Sequence, residues 1–142
     1  MDFINSYEMK IDLTEEEQDH LCSKENIKII AKKEGVKTFD IYDDDLLVGF
    51  AQLYEYEKDC FFLWNFAIDQ KYQNQKYGTK ALIELIKLFK DKYNLKEMTT
   101  TYIYGNDLAK HVYEKVGFVE TDVVCEEGVH EVNMIYKNQS FD

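Results

Sequence analysis

Residues Cys60 to Phe89 read CFFLWNFAID (60–69), QKYQNQKYG (70–78) and TKALIELIKLF (79–89). The first part, Cys60–Ile68, is almost wholly apolar or aromatic. Its length suits a strand with both faces covered. From Gly78 the apolar residues Ala81, Leu82, Leu85, Ile86 and Phe89 recur at helical spacing. A buried strand therefore runs through a polar turn into an amphipathic helix. The first amides of such a helix have no internal partner and the helix dipole favours an anion there. Gln73–Thr79 is thus a candidate diphosphate cradle, although the same junction serves as a plain connection in many α/β chains. The stretch has neither G-x-x-x-x-G-K-[ST] nor G-x-G-x-x-G, which disfavours a P-loop nucleotidase and a Rossmann dehydrogenase.

Outward from this unit the chain reads as alternating short elements. Ile4–Asp12 is an expected first strand. Thr14 and Glu17 form a capping-box pattern, with Gln18–Cys22 as a short helix. Ser23 caps a second helix over 23–33, with Ile27, Ile30 and Ala31 on one face and Gly35 at its end. Phe39, Ile41 and Tyr42 mark a strand, Asp43–Asp45 a turn, and Leu46–Glu55 the next strand of a hairpin. Gly49 inside it marks a bulge or a close approach. Glu57-Lys58-Asp59 turns the chain into the Cys60–Ile68 strand. The long helix spans 78–93, and Asn94 stops it. Met98–Tyr104 is a strand, Gly105-Asn106-Asp107 a turn and cap, and Leu108–Lys115 a helix ended by Gly117. Phe118–Cys125 and Val129–Tyr136 are two last strands around a Glu126-Glu127-Gly128 turn. There is no proline, linker or repeat, so one domain over 1–142 is expected.

Hairpins make antiparallel pairs, whereas the strand–helix–strand unit at the centre must pair in parallel. The expected fold is α/β (α+β): a mixed, mostly antiparallel sheet of about seven strands with helices on both faces.

Composition narrows the function. The 142 residues can form a real core, with 45% hydrophobic and 15% aromatic residues. The net charge is −11 and all 17 basic residues are lysines. That lacks the basic footprint nucleic-acid binding needs, and suits solubility or a cationic partner. Without arginine, a phosphate must be held by lysine, hydroxyls or backbone amides. Cys22, Cys60 and Cys125 show no zinc-ligand spacing, so no metal site is expected. Free thiols point to a reducing cytoplasm. No signal peptide or membrane-length apolar run is read.

The element order with these residues resembles the GNAT superfamily of acetyl-CoA-dependent N-acetyltransferases. Gln73-Asn74-Gln75-Lys76-Tyr77-Gly78-Thr79 is similar to that family's Q/R-x-x-G-x-G/A loop, with Lys76 at the first Gly. Asn106-Asp107-Leu108-Ala109 is similar to its N-x-x-A. Val112-Tyr113-Glu114-Lys115-Val116-Gly117-Phe118 matches its LYEKxGF ending. Leu13–Asn26 and Leu63–Gly78 look most like the bacterial spermine/spermidine acetyltransferase-like branch, which often has Arg where this chain has Asn65.

The resemblance implies direct attack of a primary amine of a small molecule, with a polyamine as one candidate acceptor, on acetyl-CoA as cosubstrate. It implies a splay between the fourth and fifth strands, where backbone groups of Phe66, Ala67 and Ile68 meet the pantetheine arm. It further implies that Gln73–Thr79 amides hold the diphosphate, that Asn106 contacts the arm, and that Tyr113 protonates the leaving sulfur. Read without it, Tyr113 is a core tyrosine and Asn106 a helix cap. Glu55, Glu57 and Asp59 are candidate bases or solvated turn carboxylates. Trp64 lines the acceptor pocket or packs in the core. No histidine is given a role. A homodimer is implied because many relatives form one. The rival reading is a GNAT-fold module that binds CoA without turnover, or a protein amine acetyltransferase.

Overall fold

The computed structural model describes residues 1–139. Among these residues seven strands form one mixed sheet in the order β1-β2-β3-β4-β5-β7-β6, with four α-helices packed beside it. The strands are β1 (Asp2–Asn5), β2 (Val36–Asp43), β3 (Leu46–Glu57), β4 (Cys60–Ile68), β5 (Glu97–Ile103), β6 (Val119–Glu126) and β7 (Val129–Lys137). The helices are α1 (Glu15–Asp19), α2 (Lys24–Ala31), α3 (Tyr77–Tyr93) and α4 (Asp107–Val116). Every neighbouring pair is antiparallel except β4 and β5, which α3 joins as a parallel crossover.

The strand alternation splits the core in two. Phe61 and Leu63 of β4 pack with Leu53, Leu82, Leu85 and Phe89 on the α3/α4 face. Phe50 packs with Met9, Ile11 and Ile27 on the α1/α2 face. Helices thus cover both faces, as the pattern requires.

Most elements lie within two residues of expectation, because caps and turns are local chemistry. Thr14 and Glu17 exchange both capping-box bonds, at 3.2 and 2.8 Å. Ser23 accepts from Asn26 N–H. Asn94 ends α3 in the left-handed conformation, and Gly117 ends α4 likewise at φ +118°.

Two expectations fail. The first strand ends at Asn5 rather than Asp12, and its ladder closes with Ser6 N–H to Thr38 C=O. Met9 and Ile11 leave the sheet to fill the second core, although their spacing is that of a strand face. The first helix covers Glu15–Asp19, directly after its cap, so the segment expected over Gln18–Cys22 mostly continues as loop. His20 is its C-cap.

Gly49 is needed for a close approach. A Cβ there would stand 2.9 Å from the Ala67 carbonyl oxygen and 3.0 Å from Ile68 Cδ1. The β2–β3 register shifts beside it, between Ile41 and Tyr42.

A buried polar relay fixes the α1–α2 segment to the sheet. Cys22 N–H donates to Asn65 Oδ1 (3.0 Å), and Asn65 Nδ2 donates to Gln52 Oε1 (2.9 Å). Gln52 Nε2 then donates to Ile27 C=O and Thr38 Oγ1, at 3.1 Å each. Removing one member strands its buried partners. Asn65→Ala is expected to lower stability by about 3 kcal/mol, read from the urea midpoint at constant m. A loss below ~0.5 kcal/mol would mean the relay holds nothing in place.

A splayed β4–β5 pair and its cavity

The parallel pairing of β4 with β5 covers only four positions, from Cys60↔Glu97 to Leu63↔Thr100. Thr100 Oγ1 closes that apex by donating to Leu63 C=O at 3.1 Å. Trp64 is then an extra residue against β3, because Leu53 faces Leu63 while Gln52 faces Asn65. The bulge turns β4 away from β5. Beyond it Phe66, Ala67 and Ile68 stay registered with Ala51, Phe50 and Gly49 on one side and have no β5 partner on the other. Backbone groups on that side need partners from elsewhere.

The opening is a cavity of about 550 Å³. Leu63, Trp64, Phe66, Ala67 and Ile68 form one wall and Thr100–Ile103 the other. The walls bring together several residues that the motifs suggest: Gln73, Asn74, Lys76, Tyr77, Gly78, Thr79, Asn106 and Tyr113 all line it. Gln75 does not; it is exposed, with Nε2 3.4 Å from Lys71 C=O.

The loop after β4 is held by side chains. Gln73 Nε2 donates to Ile68 C=O at 3.0 Å. Asp69, nearly buried, accepts from Asp12 N–H and Lys71 N–H. It anchors the loop from just ahead of a short 3₁₀ turn, a position at which Asp is a cap signal.

Lys76 adopts φ +66° and ψ 12°, the backbone shape that glycine takes most cheaply. The cradle therefore keeps a glycine-like turn without the glycine. The first internal bond of α3 is Lys80 N–H to Lys76 C=O, so the amides of Tyr77, Gly78 and Thr79 precede the helical ladder. Gly78 faces open space: a Cβ there would meet only Ile68 Cγ1, at 3.9 Å. Nothing in the protein demands glycine at this position, so the space above it is available to a ligand.

Tyr113 is 8% exposed. Its ring packs against Phe118, with centroids 5.4 Å apart, yet it also forms part of the cavity wall. It thus belongs both to the core and to the cavity wall. Burial pushes its phenol above the ordinary value, and the Thr100 side chain partly opposes this.

Asn106 caps α4 by accepting from Ala109 N–H (3.2 Å). Its Nδ2 lies 3.1 Å from His20 Nδ1. This contact spans the cavity mouth from α1 to α4. Glu16 and Glu17 line the same wall as His20. No periodicity links residues 86 positions apart, so His20 had no sequence signal.

Glu55 and Glu57 lie at the other end of β4. Glu55 Oε2 accepts from Asp59 N–H within the β3–β4 turn, and neither glutamate reaches the cavity. Trp64 does reach it, with its ring edge-on to Tyr54 and tilted to Phe62. Asn65 is buried in the relay described above.

No helix among the described residues is long and apolar enough to cross a membrane. The three cysteines are free. Among the described residues no cluster of three His, Cys, Asp or Glu side chains could hold a metal ion.

Several solved structures share this architecture. An aminoglycoside acetyltransferase AAC(6')-Ib in complex with coenzyme A superposes with a TM-score of 0.73 at 18% identity, over 90% of this chain and 86% of that one. Spermidine N-acetyltransferase from Vibrio cholerae in complex with CoA and spermine gives 0.71 at 18%, over 82% and 74%. A GNAT family acetyltransferase from Elizabethkingia anophelis with acetyl-CoA bound gives 0.70 at 20%, over 85% and 87%. At these identities the likeness is one of fold. No curated protein sequence matches the chain. The acetyltransferase (GNAT) family profile matches residues 4–118. With that match, the splayed strand pair and the loop that follows it, the chain belongs to the GNAT family of acetyltransferases.

Proposed function

We propose that this protein transfers acetyl from acetyl-CoA to a primary amine of a small cationic molecule, with a polyamine as the leading acceptor class. The observation that carries the proposal is the β4–β5 wedge, with Tyr113 in its wall and the free amides of α3 at its rim. Acetyl-CoA supplies the thioester. The amides of Tyr77, Gly78 and Thr79, with the Lys76 ammonium, would hold its diphosphate. The unpaired edge of Phe66–Ile68 would take the amide groups of the pantetheine arm, as a strand edge does. An N–H on that edge would polarise the thioester carbonyl.

The amine must arrive unprotonated, against an ordinary alkylammonium pKa near 10. Glu16, Glu17 and His20 are the titratable groups that α1 brings to the cavity, and they replace Glu55 and Glu57 as candidates for receiving the cation. As the new C–N bond forms and the C–S bond breaks, the Tyr113 hydroxyl gives its proton to the sulfur. The proton shed by the nitrogen passes through solvent to the tyrosinate and restores the phenol. The products are an acetamide and a free thiol. The free cysteines and the cosubstrate suit a cytoplasmic setting.

Thiol release from acetyl-CoA, measured against spermidine, spermine, amino sugars and peptide amines, tests the proposal. Release with at least one of the small amines is expected. Calorimetric binding of acetyl-CoA with no release for any amine would favour a module without turnover. Sedimentation tests the homodimer that the family suggests.

Lys76→Gly separates backbone from charge. Gly relieves the left-handed conformation but gains freedom in the unfolded chain, so stability should move by less than ~1 kcal/mol. Loss of the ammonium is expected to weaken CoA binding about 5-fold and flatten its salt dependence. Tighter binding in the variant would show that Lys76 distorts the cradle.

A further inference from the structure

A second cavity, of about 380 Å³, adjoins the first. The two share Thr100 and Thr101 of β5. Their β4 walls are continuous as well, because the Trp64 ring contacts that of Phe62 with centroids 6.1 Å apart. The second cavity lies over β5, β7 and β6, between Phe62 on one side and Thr121, Asp122 and Asn133 on the other.

Its polar floor is organised. Thr101 Oγ1 donates to Asn133 Oδ1 at 2.7 Å. Asn133 Nδ2 lies 3.2 and 3.3 Å from the two carboxylate oxygens of Asp122. A register shift between Glu120 and Asp122 sets these side chains at the cavity. Among the described residues Asp122 makes no ion pair. A carboxylate held by neutral donors keeps its charge available to a cation.

Resting on the acetyl-transfer reading above, we propose that this second cavity is the subsite for the distal ammonium of a linear di- or polyamine. The reacting amine sits at the wedge beside Trp64. The aliphatic chain runs past Thr101. The second ammonium, still protonated, pairs with Asp122. The subsite would select acceptors with two amines on one flexible chain over simple monoamines.

The test compares n-butylamine, 1,4-diaminobutane and spermidine as acceptors of the wild type and of Asp122→Asn. For the wild type, KM for the two polyamines is expected to be about 10-fold below that for butylamine, the effect of one charge-assisted contact. Asp122→Asn should raise KM for both polyamines to the butylamine level and leave the butylamine KM and CoA affinity unchanged. Asp122 is exposed, so the fold should survive, and an unchanged melting temperature checks this. Equal KM values for mono- and diamines, or equal effects of the variant on both, would overturn the subsite while leaving acetyl transfer standing. Should no amine be acetylated, the reading of the reaction fails. Spermidine binding without cofactor, followed by saturation-transfer NMR, then decides the subsite: signal lost in Asp122→Asn supports it, and equal or absent signal overturns it.

Discussion

Tyr113→Phe is expected to lower kcat about 100-fold, the smaller end of what a positioned general acid contributes. KM for acetyl-CoA and the melting temperature should barely move. The ring keeps its contact with Phe118 and its place in the core, and only the hydroxyl is lost. The pH profile sharpens the test. Activity should climb with pH as the acceptor amine loses its proton, towards its ordinary pKa near 10. Burial raises the Tyr113 pKa, so the phenol stays protonated across that climb and no descending limb from it should begin below about pH 10. A descending limb near pH 8 that vanishes in Tyr113→Phe would show a phenol of lowered pKa, against the burial seen here. Equal turnover of variant and wild type at every pH would remove Tyr113 as the acid.

The second large effect concerns Gly78→Ala, and its two readouts move in opposite directions. Gly78 sits in the first turn of α3 with nothing but Ile68 within 4 Å of a Cβ. Alanine in a helix is better than glycine by roughly 0.5–1 kcal/mol, so the variant should be more stable. The same methyl would stand where the proposed cradle brings a diphosphate to the amides. CoA affinity should fall at least ~10-fold, since losing one good charge-assisted contact costs about 1.5 kcal/mol. Stabilisation without loss of affinity would place the diphosphate elsewhere.

How much of this could be read beforehand depends on the range of the interaction. β4, α3 and α4 were legible because burial periodicity, the Asn94 and Gly117 stops and the Asn106 cap are written within a few residues of one another. The β1 boundary was not. Met9 and Ile11 alternate as a strand would, and only the presence of Ile27 and Phe50 decides that they fold into a separate core. Within the site, the loop and Tyr113 were carried by motif, and the wedge by resemblance. What makes the wedge is the extra residue at Trp64 against β3, and a run of apolar residues conceals a bulge.

The acceptor side was the least legible. Glu55 and Glu57 stand next to β4 in the chain, but at its start. From Cys60 to the bulge at Trp64 is four strand steps, which sets them roughly 13 Å from the cavity. The carboxylates that do line the cavity, Glu16 and Glu17, come from α1. They arrive there because the buried Asn65–Gln52 relay anchors the α1–α2 segment and His20 reaches Asn106. Those are contacts across 43, 13 and 86 residues, which no local pattern encodes.

The central claim is that the gap beyond Leu63 and Thr100 seats the thioester-bearing arm. Amide hydrogen exchange with and without acetyl-CoA tests it most directly. Protection is predicted at the β4 amides that face the gap within residues 64–68, and at Tyr77, Gly78 and Thr79. Binding that leaves both segments exchanging as before, with protection gathered elsewhere on the sheet, would contradict it.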